Sequence, residues 1–598
     1  MKKMQKAKKI LALFLIASMV FLGLMNIAGC GPKRAEDDKG AVIPMYLAGD
    51  PSNLNLDPGK LIYSAEAVKF LGLIFEGLTV IDENGKLQKG MAKSWEIIEN
   101  EEKGEYIIQF ELKATKWSDG IPVSADDFVY AWKRILDPDF SSPAAALLYS
   151  VKNARAVKEG DMTVDDLGVY ALDTTTLQVT FDHKIDYDKF LENCASIALV
   201  PVRSDTVDFK PTDWAKTPQS LLSNGPFTVK TMEYNKLTSL ERSTYYLLPG
   251  KKGEDIFKYV TPYKLSLDFS RNINQMADAY LNASENKDLV FYLGGVPVSR
   301  YTEFAGKTES KDLLSAYSYH FNVDNPLFAK AEVRKALSIA LDRNKIAEIV
   351  GLGVKPATGI VPTGIIDVKL TGDDFRTVGG DIIPAGGDIA AAKSLLQSAG
   401  VTGGSFELKV RSSERGDNAE EAVAEYAKGV WAQLGFTVTV KPMKGLDYTN
   451  DIFDRNYDVM GYDDQAVGVD ALSVLAPFAK PFCGGIVTFI DEGQSTAESY
   501  ITGFQNNDYD AMMEEIVMTL DNDTAARTEK LHKAEEKLFD LSPVAPLFFN
   551  TSLNITDKLT GITYSKFGFA IFTKANLKNY PQYTTTIEDT RETIVAQD

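Results

Sequence analysis

The chain reads as an α/β protein of two or three lobes, and three observations point there. Its 598 residues are more than one hydrophobic core organises. Short apolar runs of strand length alternate with helical 3.6-residue patterns along almost all of it. Its first 29 residues have the form of an export signal, and the rest of the chain is acidic and sparing in cysteine.

The signal comes first. Lys2, Lys3, Lys6, Lys8 and Lys9 precede an apolar run over residues 10–25, and small residues close it at Ala28-Gly29-Cys30. Cys30, directly after Ala-Gly, resembles a lipobox, in which the cysteine is lipidated and becomes the new N-terminus. Residues 31–40 are polar and without apolar periodicity. They read as a disordered tether holding a globular body just outside a membrane, in a periplasm or at the cell surface. Removing the five lysines takes the net charge from −19 to about −24, which disfavours nucleic acid as a partner. No other apolar run is long enough to span a bilayer. Beyond Cys30 only Cys194 and Cys483 remain. Two buried free thiols fit this better than a disulfide, and no Cys or His spacing suggests zinc.

The body begins with a strand at 41–47 and a turn-rich loop at 49–58 that contains Asn53. A helix comes next at 65–77, then a strand and hairpin turn at 78–85, and paired strands at 91–96 and 106–112. Trp117-Ser118-Asp119-Gly120 reads as a turn, with Asp119 bonding its own backbone and Gly120 taking a left-handed conformation. Ser124 stands three residues before Asp127, a Ser-x-x-acid helix start. Asp126 and Asp127 suit the positive end of the helix dipole, and Lys133 and Arg134 the negative end. Phe128, Ala131, Trp132 and Ile135 make one apolar face, and Asp137-Pro138 stops the helix.

Residues 223–229 form a turn into a strand, 263–269 a strand, 274–282 a helix and 288–293 a strand ending at Gly294-Gly295. Strand ends of α/β cores are where ligands sit, which makes Tyr292 and Gly294 candidates. The strand at 319–323 carries His320 as a strand residue rather than a base. In the helix at 333–343, Val333, Ala336, Leu337, Ala340 and Leu341 are the core stripe, with Arg334, Asp342 and Arg343 in structural ion pairs. An irregular loop at 367–384 precedes a helix that Asp388 caps and Gly400 stops. Then come a strand at 406–410, a long helix that Asn418 and Glu421 cap, and a strand at 436–440. The strand at 457–460 leads into Gly461-Tyr462-Asp463-Asp464. A helix at 527–541, a strand at 543–547 and a returning tail at 555–580 complete the body.

The string from Trp117 to Arg134 resembles the W-S-D-G-x-P-x-x-A-x-D-F-x-x-A-W-x-R segment of the family 5 extracellular solute-binding proteins, the oligopeptide and dipeptide receptors of bacterial ABC importers. Val333 to Arg343 is similar to that family's V-R-x-A-L-x-x-A-I-D-R. Shorter matches at Ser94-Trp95-Glu96, Gly225-Pro226-Phe227, Leu395-Leu396 and Pro546-Leu547 extend the resemblance over about residues 40–580. It implies a type II (cluster C) periplasmic-binding-protein fold, two large lobes on a hinge plus an extra α/β subdomain. The boundaries it suggests are a signal at 1–29, a tether at 30–40, lobe I at 41–77, 203–304 and 553–598, the extra subdomain at 78–202, and lobe II at 305–552. It also implies a monomer without cofactor or metal. Such a receptor captures a peptide in the interlobe cleft and passes it to permease subunits of the importer.

In that family a G-W-x-x-D-Y-x-D-P stretch places its first aspartate against the α-ammonium of the peptide. Here Tyr462 stands for the tryptophan, the proline is missing, and the last aspartate comes later, at Asp470. Asp463 or Asp464 is left to hold an ammonium, since a carboxylate in a closed cleft needs a cation. Tyr462, Tyr292, Gly294 and Asn53 are the residues expected beside it. The altered stretch leaves open the same receptor with an oligosaccharide, nickel chelate, opine or bile-derived ligand, and a sensor without a transporter is a further alternative. A hydrolase is disfavoured. There is no Gly-x-Ser-x-Gly elbow, and His183, His320 and His532 sit in no recognisable triad.

Overall fold

Three sheets carry the architecture of this computed structural model, which describes residues 41–46, 50–60, 65–82, 84–142, 144–246, 260–282, 291–292, 296–412, 419–482, 486–490, 494–498 and 502–578. A five-stranded sheet runs in the order Phe291–Tyr292, Val42–Tyr46, Lys264–Asp268, Leu237–Arg242 and Phe227–Met232. Its first three strands are parallel and the rest antiparallel. A four-stranded antiparallel sheet joins Ala92–Asn100, Glu105–Leu112, Thr176–Phe181 and Val169–Ala171. A six-stranded mixed sheet runs Lys355–Pro356, Val544–Ile555, Thr308–Phe321, Val459–Gln465, Gly404–Arg411 and Phe436–Met443.

Local chemistry explains the elements the sequence announces. The helix Ala125–Leu136 starts at the expected capping box: Asp127 Oδ2 accepts the Ser124 amide at 2.8 Å and also the Trp117 indole N–H at 3.0 Å. Asp119 Oδ1 accepts the Ile121 amide at 3.1 Å, and Gly120 has φ +92°. Phe128, Trp132 and Ile135 are buried, and Trp132 gives its N–H to the Leu199 carbonyl. Burying each such side chain contributes about 1.5–3 kcal/mol, which is what docks the helix. Asp388 caps Ile389–Ser398 as expected.

Two expectations need correction. The helix read at 333–343 is broken: Ala331–Ile339 ends, and Asp342 caps a new helix, Arg343–Val350, by accepting the Lys345 amide. Arg334 and Arg343 are structural, yet their partners are carbonyls rather than carboxylates. Arg343, fully buried, donates to the carbonyls of Ser338, Leu341 and Pro546, and Arg334 to those of Phe328, Leu541 and Ser542. Helix ends leave carbonyls unpaired, and a guanidinium fork satisfies several at once.

The apolar core under the four-stranded sheet continues through Leu147 and Tyr149 into Ala471, Leu475 and Phe482. Tyr149 and Phe482 meet with ring centroids 5.4 Å apart. Beside them lies a buried charge cluster. Arg527 makes two 2.8 Å bonds to Asp470, and Lys189 approaches the same carboxylate at 3.4 Å. Cys194 is a free, buried thiol, pushed up from its usual pKa by burial, whereas Cys483 lies outside the described residues. No described helix is long and apolar enough to cross a membrane.

Candidate functional site

The strand Val459–Gln465 lies between Thr308–Phe321 and Gly404–Arg411. Its parallel pairing with Gly404–Arg411 is limited to Leu408↔Val459 and Lys409↔Met460, while the antiparallel pairing with Thr308–Phe321 continues to Ser315↔Gln465. Among the described residues, 461–465 therefore have one strand neighbour, and Tyr448 Oη donates to the Gly461 carbonyl at 2.8 Å. Alternation divides the rest. Gly461 and Asp463 lie opposite Tyr319 and Tyr317, on one face of the sheet. Met460, Tyr462 and Asp464 share the other face with His320.

On the first face, Asp463 Oδ1 accepts from Asn550 Nδ2 at 2.7 Å, and Oδ2 lies 3.5 Å from Arg411 Nη2. Arg411 also donates to Glu420 Oε1 from Nη2 at 2.5 Å and from Nε at 3.1 Å. Tyr317 Oη donates to the other Glu420 oxygen at 3.3 Å. Two carboxylates thus share one guanidinium. Asp463 and Glu420 side chains are 14 % and 11 % exposed and that of Arg411 44 %, so the cluster opens on the arginine side.

Burial pushes the Asp463 carboxyl above its usual pKa. Arg411 and the Asn550 amide pull it back, and the charges of Asp464 and Glu66 push it further up. Burial raises Glu420 as well, against the pull of Arg411. The Arg411 guanidinium is held protonated by Glu420 first, and then by Asp463. Glu66, in the first turn of the helix Ala65–Ile74, belongs to the part of the molecule that packs on the five-stranded sheet, and it is paired with Lys69 at 2.5 Å.

On the second face, Tyr462 is buried and stacks on His320 with centroids 3.6 Å apart. His320 Nε2 lies 3.1 Å from Asp464 Oδ2. The structure thus separates the two aspartates read as alternatives. Asn53 ends the short 3-10 helix Pro51–Asn53, and its side chain is outside the described residues. Tyr292 pairs through its backbone with Tyr46 in the five-stranded sheet, its side chain likewise outside them, and Gly294 and Cys30 lie outside entirely.

Sequence reasoning missed Arg411, Glu420 and Asn550. Asn550 carried a signal: it is a polar residue directly after the apolar run 544–549. His183 and His532 bond Asp521 and Asp367. Among the described residues no group of three or more His, Cys, Asp or Glu is placed to hold a metal ion.

Residues 86–485 match the family model for bacterial extracellular solute-binding proteins, family 5. The oligopeptide-binding protein OppA of Bacillus subtilis is 26 % identical over 590 residues, covering 96 % of this chain and 100 % of that one. The periplasmic murein peptide-binding protein MppA of Escherichia coli is 27 % identical over 513 residues, 85 % of this chain and 87 % of the other. In fold, the structure of Listeria monocytogenes OppA bound to peptide superposes with a TM-score of 0.73 at 20 % identity, over 90 % of this chain and 99 % of that one. The three sheets are those of the type II periplasmic-binding-protein fold. With two thirds of its length matched, the chain belongs to the family 5 extracellular solute-binding proteins, which are binding proteins and not enzymes.

Proposed function

We propose that this protein captures peptides by holding their α-ammonium at Asp463, in the cleft between the five-stranded and six-stranded sheets, and delivers them to an ABC importer. One observation carries the reading: the nearly buried Asp463 carboxylate has a neutral amide, Asn550 Nδ2, at 2.7 Å, while the Arg411 guanidinium stands off at 3.5 Å. A carboxylate so placed favours the arrival of a closer cation, because a buried carboxylate is costly until positive charge meets it. The relatives named for oligopeptides and murein peptide support the ligand class. Main-chain groups of the peptide would pair much as an added strand does, and roomy pockets would tolerate its side chains. The lobes would close if the ligand binds the closed state better.

The anchor is part of the same reading. Lipid on Cys30 and the 31–40 tether would keep a monomeric receptor at the outer face of the membrane, beside its permease. Replacing Cys30 by alanine is then expected to move the protein from the membrane fraction to the medium or periplasm.

The ligand is tested by thermal shift on protein refolded free of carried-over solute. Free tripeptides are expected to raise the melting temperature by mass action, and N-acetylated copies are not. Equal stabilisation by both, or stabilisation by sugars or metal chelates alone, would overturn the reading.

A further inference from the structure

Thr308–Phe321 and Val544–Ile555 are the two longest strands among the described residues, and they pair along most of their length. One end of this ribbon packs with Met276, Tyr280 and Phe304, and the other, through Tyr319, Phe321 and Leu547, with Phe328, Leu337 and Trp431. Between them the register slips. Asp312 faces Thr551, and pairing resumes at Ala316 with Phe549, so residues 313–315 stand against Asn550 alone. Leu314, fully buried within this bulge, has φ +48°. A leucine there is unusual, and bulges re-aim the side chains beside them.

Asn550 bridges the bulge and the site. Its Nδ2 donates to Ser315 Oγ at 2.9 Å and to Asp463 Oδ1 at 2.7 Å, one N–H for each. The end of the Asp463 strand is tied to the same bulge. Gln465 Nε2 donates to the Leu313 carbonyl at 3.1 Å, and the Ala466 amide to the Leu314 carbonyl at 3.0 Å.

We propose that Asn550 is a positioning residue: fixed at the bulge by Ser315, it aims the Asp463 carboxylate at the ligand's cation. The inference rests on the reading of Asp463 as the ammonium site. Among the described residues, the groups that act on Asp463 are Arg411 from Gly404–Arg411, Glu420 from Ala419–Ala432, Glu66 from Ala65–Ile74, Tyr448 from Gly445–Phe453, Tyr317 from the facing strand and its own neighbour Asp464. Replacing Asn550 removes none of these side chains.

The test measures tripeptide affinity against pH by calorimetry, for wild type, Asn550→Ala, Asn550→Ser, Ser315→Ala and Asp463→Asn. A donor to an ionised carboxylate favours the charged form. Without it the Asp463 carboxyl rises further, so Asn550→Ala is expected to lose peptide at a higher pH than wild type as the solution is acidified. It is also expected to bind about tenfold more weakly near neutrality. Asn550→Ser, with one donor left, should fall between, and it carries the test if the alanine variant does not fold. Ser315→Ala should shift the profile the same way by less. A side chain that merely filled space would lower affinity without moving the acid limb. If Asp463→Asn abolishes the preference for free over N-acetylated peptide while Asn550→Ala and Asn550→Ser keep the wild-type profile, the inference on Asn550 is overturned and the ammonium reading stands. If Asp463→Asn keeps that preference, the ammonium reading falls, and this inference with it.

Discussion

Asp463 and Asp464 are neighbours in sequence and lie on opposite faces of the six-stranded sheet. The first meets Arg411 and Asn550, and the second meets His320. A residue-by-residue alternation thus assigns them different work. Asp463 stands among other carboxylates with its pKa raised, and Asp464 is the partner of a buried imidazole.

The two aspartates should therefore respond oppositely to substitution. A carboxyl whose folded pKa is raised binds more protons in the folded than in the unfolded state. Its charge destabilises the fold once pH exceeds the unfolded value near 4. Asp463→Asn is expected to make the ligand-free protein no less stable at pH 7 while abolishing the preference for a free peptide amine. Asp464→Ala should do the reverse. It takes the carboxylate from His320, whose Nδ1 already lacks a partner among the described residues, at a cost of about 1–3 kcal/mol, and leaves the peptide preference in place. Urea unfolding and calorimetry on the same two samples decide this.

A second prediction concerns acid. Burial works to raise the Asp470 carboxyl, but Arg527 and Lys189 outweigh it and hold the group well below the usual carboxylate range. A depressed folded pKa contributes stability that is complete above the unfolded value near 4 and fades as pH falls toward the folded one. Asp470→Asn should thus lose about 3–5 kcal/mol at pH 7, because the Arg527 charge stays buried without its partner. The difference from wild type should shrink below pH 4. Denaturant melts at pH 7, 4 and 2.5 measure it.

How much of this could be read from the chain depends on the distance over which each contact acts. The helix Ala125–Leu136 was legible to its cap because Ser124, Asp127 and Trp117 lie within ten residues of one another. The fold came from long strings whose resemblance survives because they pack the core. The partners of Asp463 were not legible: Arg411 is 52 residues away and Asn550 87, and only the register of four strands brings them together. The period of two in 459–465 was available and would have separated Asp463 from Asp464. Arg334 and Arg343 mislead for a different reason. Charge invites a search for opposite charge, whereas the orphan carbonyls that hold these arginines are visible only once the helix ends are placed.

The thiol gives a third prediction. Cys194 is fully buried, and burial disfavours its thiolate, the reactive form. In native protein treated with iodoacetamide, peptide mapping should find Cys194 unmodified, and in denaturant fully modified. Native labelling at a rate comparable to a free thiol would mean that the core at the end of the helix Tyr187–Asn193 opens readily.

The last prediction concerns why residue 461 is a glycine. A Cβ built there would lie 2.2 Å from Tyr317 Oη and 2.9 Å from its Cζ, closer than real Cβ atoms come, and 3.0 Å from Tyr319 Cε1, tighter than most such contacts. Tyr317 cannot yield easily. It is buried, stacks on Phe548 with centroids 5.1 Å apart and donates to Glu420. Gly461→Ala should therefore destabilise by about 1–3 kcal/mol through overpacking. It should also weaken peptide binding, because a displaced Tyr317 frees Glu420 to draw Arg411 from Asp463. Adding Tyr317→Phe removes the nearest atom but leaves the ring, so the double variant is expected to recover part of the stability and little of the binding. Full recovery of both would show that the hydroxyl clash was the whole effect and that Tyr317's bond to Glu420 has no part in the site. No recovery of either would place the fault in the strand backbone.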